Sequence, residues 1–153
     1  MDRPTLVTDV DAWMLVRHNI DRFNLDYYKP RGNPTKFIQA MLDHFSRAKD
    51  EGLTPDAYLE KVTAMHLDAD GADVLALGAN ATDEAALERK KWQELAEGYR
   101  TYQELLLEHN ALDFGDLIAY TVELFRTRPN VLKEYTDRFA YVVVDEFQDT
   151  NSA

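Results

Sequence analysis

Apolar residues recur along most of this chain at intervals of three and four, which is the spacing of one face of an α-helix. Proline, glycine and asparagine interrupt the pattern and divide it into five or six segments. The predicted helices cover residues 10–23, 34–51, 55–66, 83–108, about four turns after residue 113, and 129–136. The sequence therefore predicts a mainly α-helical fold.

Polar residues suited to helix N-caps precede four of these segments, because their side chains can accept hydrogen bonds from the N–H groups of a first turn. The candidates are Thr8 or Asp9, Asn33, Thr54 and Asp113. Pro34 and Pro55 follow two of them at the first helical position, which strengthens the prediction of a start there. Gly52 and Asn110 are the predicted ends of the second and fourth helices.

Three apolar stripes define helix faces that we expect to be buried. The stripe of the second helix comprises Phe37, Ile38, Met41, Leu42, Phe45 and Ala48. That of the fourth comprises Trp92, Leu95, Tyr99, Tyr102 and Leu106, and that of the fifth comprises Phe114, Leu117, Ile118, Thr121, Leu124 and Phe125. Lys49 lies off the second stripe and is expected to point into solvent.

Two segments between the helices are predicted to be loops. Residues 67–82 are polar, with Val74, Leu75 and Leu77 available to pack onto the core. Residues 24–33 contain proline and glycine and bring together aromatic and basic side chains that can stack on bases and bind phosphates. These DNA-binding candidates are Tyr27, Tyr28, Lys29, Arg31 and, just beyond the loop, Lys36. The alternative is that the tyrosines pack onto the core while the cations remain in solvent.

The last part of the chain has a different pattern. Residues 141–144 form an unbroken β-branched and aromatic run, which is typical of a strand buried on both faces. Asp145 and Glu146 follow directly, at the strand end where open α/β sheets bind ligands. Such a carboxylate pair suits phosphoryl transfer to water, although many strands simply end in an acid at a surface turn.

The longer string around these acids is more specific. Residues 144–151, Val-Asp-Glu-Phe-Gln-Asp-Thr-Asn, closely resemble motif II, the Walker B segment, of the UvrD/Rep-type superfamily 1 DNA helicases. Residues 112–118 resemble the LDFDDL segment that precedes motif II in that family, with Gly115 in place of an acid. The resemblance implies an ATP-dependent helicase that moves 3′-to-5′ on single-stranded DNA and serves DNA repair or recombination.

The resemblance also assigns expected roles to single residues. Asp145 would bind Mg²⁺, and Glu146 would activate the hydrolytic water. Gln148 would sense the γ-phosphate of ATP, and Asp149 would hold the nucleotide-binding motif together. The helicase would then use ATP and Mg²⁺ as cofactors and single-stranded or duplex DNA as its partner.

The phosphate-binding P-loop, GxxxxGK[ST], is absent from the sequence, since lysine follows none of the six glycines. We therefore expect an internal piece of a helicase that is inactive alone. Residues 1–138 would form the helical insertion (1B-like) subdomain, and residues 139–153 would form the motif II strand and turn of the RecA-like motor domain. Without sheet neighbours, residues 139–145 are expected to be disordered, to fold against the helices or to pair with another copy of the chain.

The amino-acid composition limits the classes of binding partner. A net charge of −11 argues against strong autonomous DNA binding, because most non-specific affinity comes from cations that neutralise phosphates. The chain has no cysteine and no apolar run long enough to span a membrane, which predicts a cytoplasmic protein without a membrane role. A non-catalytic helical module for protein interaction or DNA docking is the alternative from another functional class, and a helicase-nuclease is an alternative within the family.

Overall fold

The computed structural model describes residues 3–71, 79–147 and 150, and within them it confirms the mainly α-helical fold. The six α-helices of these residues are α1 (Asp9–His18), α2 (Ile38–Asp50), α3 (Pro55–Gly71), α4 (Ala79–Glu108), α5 (Phe114–Thr127) and α6 (Pro129–Arg138). A 3₁₀ turn, Ile20–Arg22, follows α1. None of the described helices is both long and apolar enough to cross a membrane.

A small parallel sheet, which the hydrophobic pattern did not predict, joins the segment before α1 to the connection between α4 and α5. Its strands are β1 (Thr5–Leu6) and β2 (Ala111–Leu112), with Thr5 opposite Ala111 and Leu6 opposite Leu112. Strands of two residues are too short to show an alternating pattern, so their pairing becomes visible only in the folded chain.

The first helix starts as predicted and ends earlier. Thr8 is the N-cap: its hydroxyl accepts a hydrogen bond from the Asp11 N–H at 3.3 Å, and its own N–H donates to the Asp11 carboxylate at 3.0 Å. The prediction of a helix to residue 23 was wrong, because Asn19 donates its side-chain amide to the Leu15 carbonyl at 2.9 Å and closes the last turn. Val16 and Phe23 are nevertheless both buried.

The start of α2 was predicted four residues too early. Residues 34–37 form turns instead, in which the Lys36 N–H donates to the Asn33 carbonyl at 3.2 Å. The Asn33 side chain does not cap the helix, because its oxygen accepts a hydrogen bond from the Thr35 hydroxyl at 3.1 Å. The end of α2 is as predicted: Gly52 has φ of +69° and donates its N–H to the Lys49 carbonyl at 2.8 Å.

Both ends of the loop predicted at residues 67–82 are helical in the structure. Thr54 caps α3 as expected, with its hydroxyl 3.2 Å from the Ala57 N–H, but α3 continues through residue 71. Neither proline nor glycine interrupts the chain between Leu67 and Asp70, so a helix already nucleated can extend there. The residues proposed to pack onto the core, Val74, Leu75 and Leu77, lie outside the described residues.

The core forms where α1 to α4 meet, and its centre is aromatic. The Phe45 ring stacks on the rings of Tyr99 and Tyr102, with centroids 5.3 Å and 5.7 Å apart. Four of the five predicted stripe residues of α4 are buried: Leu95, Tyr99, Tyr102 and Leu106. Trp92, the first of the stripe, is 39% exposed and packs against His44 at the edge of the core.

The buried face of α5 is not the predicted one. Phe114, Leu117, Ile118 and Leu124 were expected inside and are between 40% and 60% exposed. The helix instead turns Asp116, which is 2% exposed, towards α2, where it binds the ammonium group of Lys49. The expectation that Lys49 points into solvent was therefore wrong as well, since only 3% of it is exposed.

Residues 141–144 do not form the strand that their composition favours. Tyr141 and Val143 are 91% and 92% exposed, so the segment does not fold against the helices either. A strand is stable only when a neighbour satisfies its backbone groups, and the described part of the chain provides none here.

Candidate functional site

Asp145 and Glu146 lie in an exposed turn that follows the extended segment after α6. The Glu146 N–H donates to the Asp145 carboxylate at 2.9 Å, and Glu146 has φ of +48°. A residue other than glycine adopts this left-handed conformation only when its surroundings hold it there. Asp145 and Glu146 are both exposed to solvent.

Thr150 is hydrogen-bonded to Phe147, which follows these two acids. Both the N–H and the hydroxyl of Thr150 donate to the Phe147 carbonyl, at 3.2 Å and 2.8 Å. Gln148 and Asp149, the other two candidates in this motif, lie outside the described residues.

The carboxylate of Asp145 fits the role of one ligand to Mg²⁺. This ion binds through one or two carboxylates and completes its shell with water and phosphate oxygens. Among the described residues, no group of three or more His, Cys, Asp or Glu side chains is arranged to hold a metal ion. The remaining oxygens of a magnesium shell would therefore come from outside this set.

A buried carboxylate on α4 holds the loop of the DNA-binding candidates. Glu94 is 5% exposed and accepts hydrogen bonds from the backbone N–H groups of Tyr27 and Tyr28, at 3.0 to 3.2 Å. One turn further along α4, Glu97 accepts a hydrogen bond from the Asn24 side chain at 3.3 Å. Sequence reasoning missed Glu94, because an acid beside an apolar stripe gives no sign of its partner.

The rings of this loop pack against one another. Tyr27 stacks on Phe37 with centroids 5.9 Å apart and an interplanar angle of 21°. Tyr28 meets both rings edge-on, at 5.0 Å and 5.6 Å, and burial raises the pKa of its hydroxyl. The tyrosines therefore both anchor the loop and form part of its surface.

Ammonium groups cover two of these rings. Lys36 Nζ lies 4.9 Å from the centroid of Phe37, and Lys91 Nζ lies 4.6 Å from that of Tyr27. Lys91 belongs to a run of three basic residues, 89–91, on α4. The fold thus brings this run onto the loop of the DNA-binding candidates.

Acidic side chains pair with several cations around the loop. Lys29 Nζ is 2.5 Å from the Asp21 carboxylate, Lys90 pairs with Asp26, and Lys91 pairs with Glu88. The hydrogen bond from Lys90 lowers the pKa of Asp26, and Arg31 lowers it further by its charge. The five sequence candidates thus share one loop region, in which Lys29 is turned towards an acid.

A second polar cluster positions the start of α5. Lys49 Nζ donates to the carboxylates of Asp113 and Asp116, at 2.7 Å each, and these two acids also form the capping box of α5. The Tyr102 hydroxyl and the Gln103 amide donate to the same carboxylates at 3.0 Å. Burial and the charge of Asp113 raise the pKa of Tyr102. The cluster ties α5, which leads through α6 to Asp145, to α2 and α4.

Comparison with known proteins gives a family match over nearly the whole chain. The sequence profile of the UvrD/REP helicase N-terminal domain matches residues 6–153. The ATP-dependent DNA helicase PcrA of Staphylococcus epidermidis is 48% identical over 149 residues, which are 97% of this chain and 16% of that protein.

Two further relatives agree with this match. PcrA of Leuconostoc citreum is 34% identical over 141 residues (91% of this chain, 14% of that protein). DNA helicase II of Rickettsia typhi is 51% identical over 55 residues (36% and 8%). The chain thus spans 8% to 16% of the length of these relatives. No solved structure gives a significant match.

Proposed function

We propose, since this chain belongs to the UvrD/REP helicase N-terminal domain family, that it supplies motif II to an ATP-dependent DNA helicase. The observation that carries the proposal is the motif II string in the sequence, whose two consecutive acids, Asp145 and Glu146, are both exposed. The helicase moves 3′-to-5′ on single-stranded DNA and serves DNA repair or recombination. It works where the DNA is, which in bacteria such as those of its relatives is the cytoplasm.

The two described acids have different tasks in this proposal. Asp145 binds Mg²⁺, which when present neutralises negative charge on the nucleotide phosphates. Glu146 accepts a hydrogen bond from the attacking water and orients it, and its exposed position leaves room for that water and for the nucleotide. Gln148 senses the γ-phosphate, and Asp149 holds the motif together.

The chain by itself is proposed to be inactive as an ATPase. Lysine follows none of its glycines, so the sequence contains no P-loop to bind the β- and γ-phosphates. Electrostatic stabilisation of the transferred phosphoryl group is the main catalytic contribution in this chemistry, and carboxylates alone do not provide it.

The subdomains of the chain and their roles are also part of the proposal. Residues 1–138 form a helical insertion subdomain, and residues 139–153 belong to the RecA-like motor domain. The loop with Tyr27, Tyr28, Lys29 and Arg31, together with Lys36, contacts DNA in the complete helicase. Its combination of rings and cations on one surface supports this assignment.

ATP hydrolysis tests the proposal. We would measure ATPase activity of this chain and of the complete gene product, with and without single-stranded DNA, beside the Glu146→Gln variant of each. Activity is expected only in the complete wild-type protein, and Glu134→Gln, which changes an exposed acid on α6, should leave it unchanged. Robust activity of the chain alone, or full activity of the Glu146→Gln variant, would contradict the proposed roles.

A second candidate is a non-catalytic interaction module, and the exposed apolar surface at the C-terminal end of the described chain favours it. Its largest exposed side chains are Phe139, Tyr141, Val142, Val143 and Phe147, between 52% and 92% exposed. The proposed occupant is a second copy of the chain, paired along residues 141–144. Sedimentation that shows a concentration-dependent dimer, together with an inert complete protein, would favour this candidate over the helicase.

A further inference from the structure

Two segments that are far apart in sequence form one surface. The sequence of either segment alone does not indicate this surface. Tyr27, Lys36 and Phe37 come from the segment before α2, and Lys91 comes from α4. The two rings stack, and one ammonium group lies over each ring. Tyr27 is 39% exposed, so its ring is accessible from solvent. These four residues are named the aromatic platform below.

The charge around the platform differs from that of the whole chain. The sequence has 28 acids and 17 cations, which repel a polyanion over most of the surface. Five of those cations are gathered here: Lys29, Arg31, Lys36, Lys90 and Lys91. The acids beside them are Asp21, Asp26, Glu88 and Glu94. The platform is therefore a nearly neutral area on a strongly acidic protein.

This balance determines which form of nucleic acid the platform suits. Duplex DNA keeps its bases stacked and offers mainly phosphates, so it binds where cations are in excess. An unpaired base offers its ring face, and stacking on aromatic side chains needs little net positive charge. Rings accompanied by only a few cations therefore favour a single strand over a duplex.

We propose that the aromatic platform binds unpaired nucleotides of single-stranded DNA, with a base stacked on Tyr27 and the neighbouring phosphates held by Lys36 and Lys91. The base replaces the Lys91 ammonium group on the ring, and the lysine then exchanges its exposed partner Glu88 for the phosphate. A stacked base is worth more than an exposed cation–π contact, so the exchange is favourable. The choice of DNA as the polymer rests on the proposed helicase function.

The structure also separates the members of the loop by role. Tyr28 meets both neighbouring rings edge-on, and Lys29 pairs with Asp21 and not with a ring of the platform, so neither is part of the proposed contact. Glu94 holds the backbone of Tyr27 and thereby positions the platform without touching the DNA.

Fluorescence anisotropy with a labelled oligothymidine and with a duplex of the same length, at low salt, tests this proposal on the isolated chain. The single strand should bind at least about tenfold more tightly than the duplex. Tyr27→Ala should weaken single-strand binding by about 5- to 100-fold, which corresponds to the loss of one stacked base. Tyr27→Phe keeps the ring and should bind like the wild type.

Matched variants separate this contact from general effects. Tyr135→Ala removes a tyrosine of similar exposure, 43%, from α6 and should leave the affinity unchanged. Lys91→Ala should reduce the salt dependence of log K by about 0.7, the value for one phosphate contact on a single strand. Lys133→Ala, on α6, should not change it.

The proposal would be overturned by equal affinity for duplex and single strand, by no binding of oligothymidine at low salt, or by unchanged binding of Tyr27→Ala. Thermal unfolding of each variant shows whether it is folded. If Tyr27→Ala does not fold, the salt dependence of Lys91→Ala decides, and an unchanged slope rejects the proposal. None of these results affects the Glu146-dependent ATPase test, so failure of the platform and failure of the helicase function are distinguishable.

Discussion

Gly115 lies against the side chain of Lys49, and this contact explains a departure from the family motif at the scale of single residues. A Cβ atom at position 115 would lie 2.8 Å from Lys49 Cδ and 3.1 Å from Lys49 Cβ. Lys49 cannot easily retreat, because Asp113 and Asp116 hold its ammonium group. A side chain at position 115 would therefore have to displace this lysine, and glycine avoids the clash because it has no Cβ atom.

Gly115→Ala is therefore expected to destabilise the protein, by about 1–3 kcal/mol for overpacking. Gly32→Ala is the matched control, since nothing lies within 4 Å of a Cβ atom there, and its effect should stay within about 0.5 kcal/mol. Urea unfolding of both variants measures the difference. Equal stability of the two variants would show that the Lys49 side chain moves aside at little cost.

Lys49→Met keeps much of the length of the side chain and removes its charge. Asp113 and Asp116 would then be left without their cation, and Asp116 is 2% exposed. We expect a loss of about 3–5 kcal/mol in the free energy of unfolding, which is typical when one partner of a buried ion pair is removed.

Lys133→Met provides the control for Lys49→Met. Its pair with Asp137 is exposed on α6, and such pairs contribute about 0–1 kcal/mol. A similar small loss for Lys49→Met would mean that water reaches the cluster and replaces the lysine.

His44 makes stability depend on pH. Its Nε2 lies 2.6 Å from the Tyr58 hydroxyl; burial lowers the pKa of His44, nearby Arg47 lowers it further, and Glu51 opposes both. Because the folded pKa is below the unfolded value of about 6.5, the unfolded chain binds more protons at acidic pH. The contribution of His44 is thus complete above about pH 6.5 and is lost as pH falls from there towards the folded pKa.

His44→Asn should flatten this dependence. We expect the free energy of unfolding of the wild type to fall more steeply than that of the variant between about pH 7 and pH 5.5. Denaturant unfolding at several pH values measures both slopes. Parallel curves would show that His44 titrates alike in the folded and unfolded chain.

At the scale of elements, the segment before α2 depends on one side chain of α4. The carboxylate of Glu94 accepts hydrogen bonds from the N–H groups of Tyr27 and Tyr28, whereas Glu97 on the next turn accepts from the Asn24 side chain. A loop without regular structure has few backbone partners of its own. Glu94 therefore determines where the loop, with the aromatic platform, lies on the helix.

Glu94→Gln replaces one acceptor oxygen with a donor that faces a backbone N–H. The loss of a hydrogen bond to a charged group, about 1.5–3 kcal/mol, should speed amide exchange of Tyr27 and Tyr28 by about 10- to 100-fold. Hydrogen exchange followed by NMR measures this directly. Glu97→Gln should change these two amides little, and equal effects of the two variants would argue against a specific anchor at Glu94.

At the scale of the whole molecule, the described chain divides into a packed helical part and an exposed end. The core lies among α1 to α4, and every described residue from 139 to 147 is exposed. The end of α6 at Arg138 supports the proposed boundary there, although α6 itself has no buried residue.

Truncation after residue 138 is expected to leave the melting temperature within about 2 °C of that of the full chain, because little apolar burial is lost. It should also remove concentration-dependent association, since the apolar segment 141–144 goes with it. Calorimetry and sedimentation test the two expectations. A fall of many degrees would show that the removed residues stabilise the helical part.

The sequence by itself determined the features that depend only on residues close together along the chain, such as the ends of helices. Thr8, Thr54 and Asp113 cap helices, and Gly52 ends one, because these signals act within a single turn. The family, too, was identifiable from consecutive residues, since motif II is a continuous string.

Only the tertiary structure decided which groups from distant parts of the chain meet. The apolar stripe of α5 predicted the wrong inner face, because the buried ion pairs of Lys49 with Asp113 and Asp116 orient that helix. Likewise Glu94 binds the loop, and Lys91 lies over Tyr27. A helical period shows that one face of a helix is apolar. Which element covers that face, and which group pairs with a buried charge, depends on contacts between residues far apart in sequence.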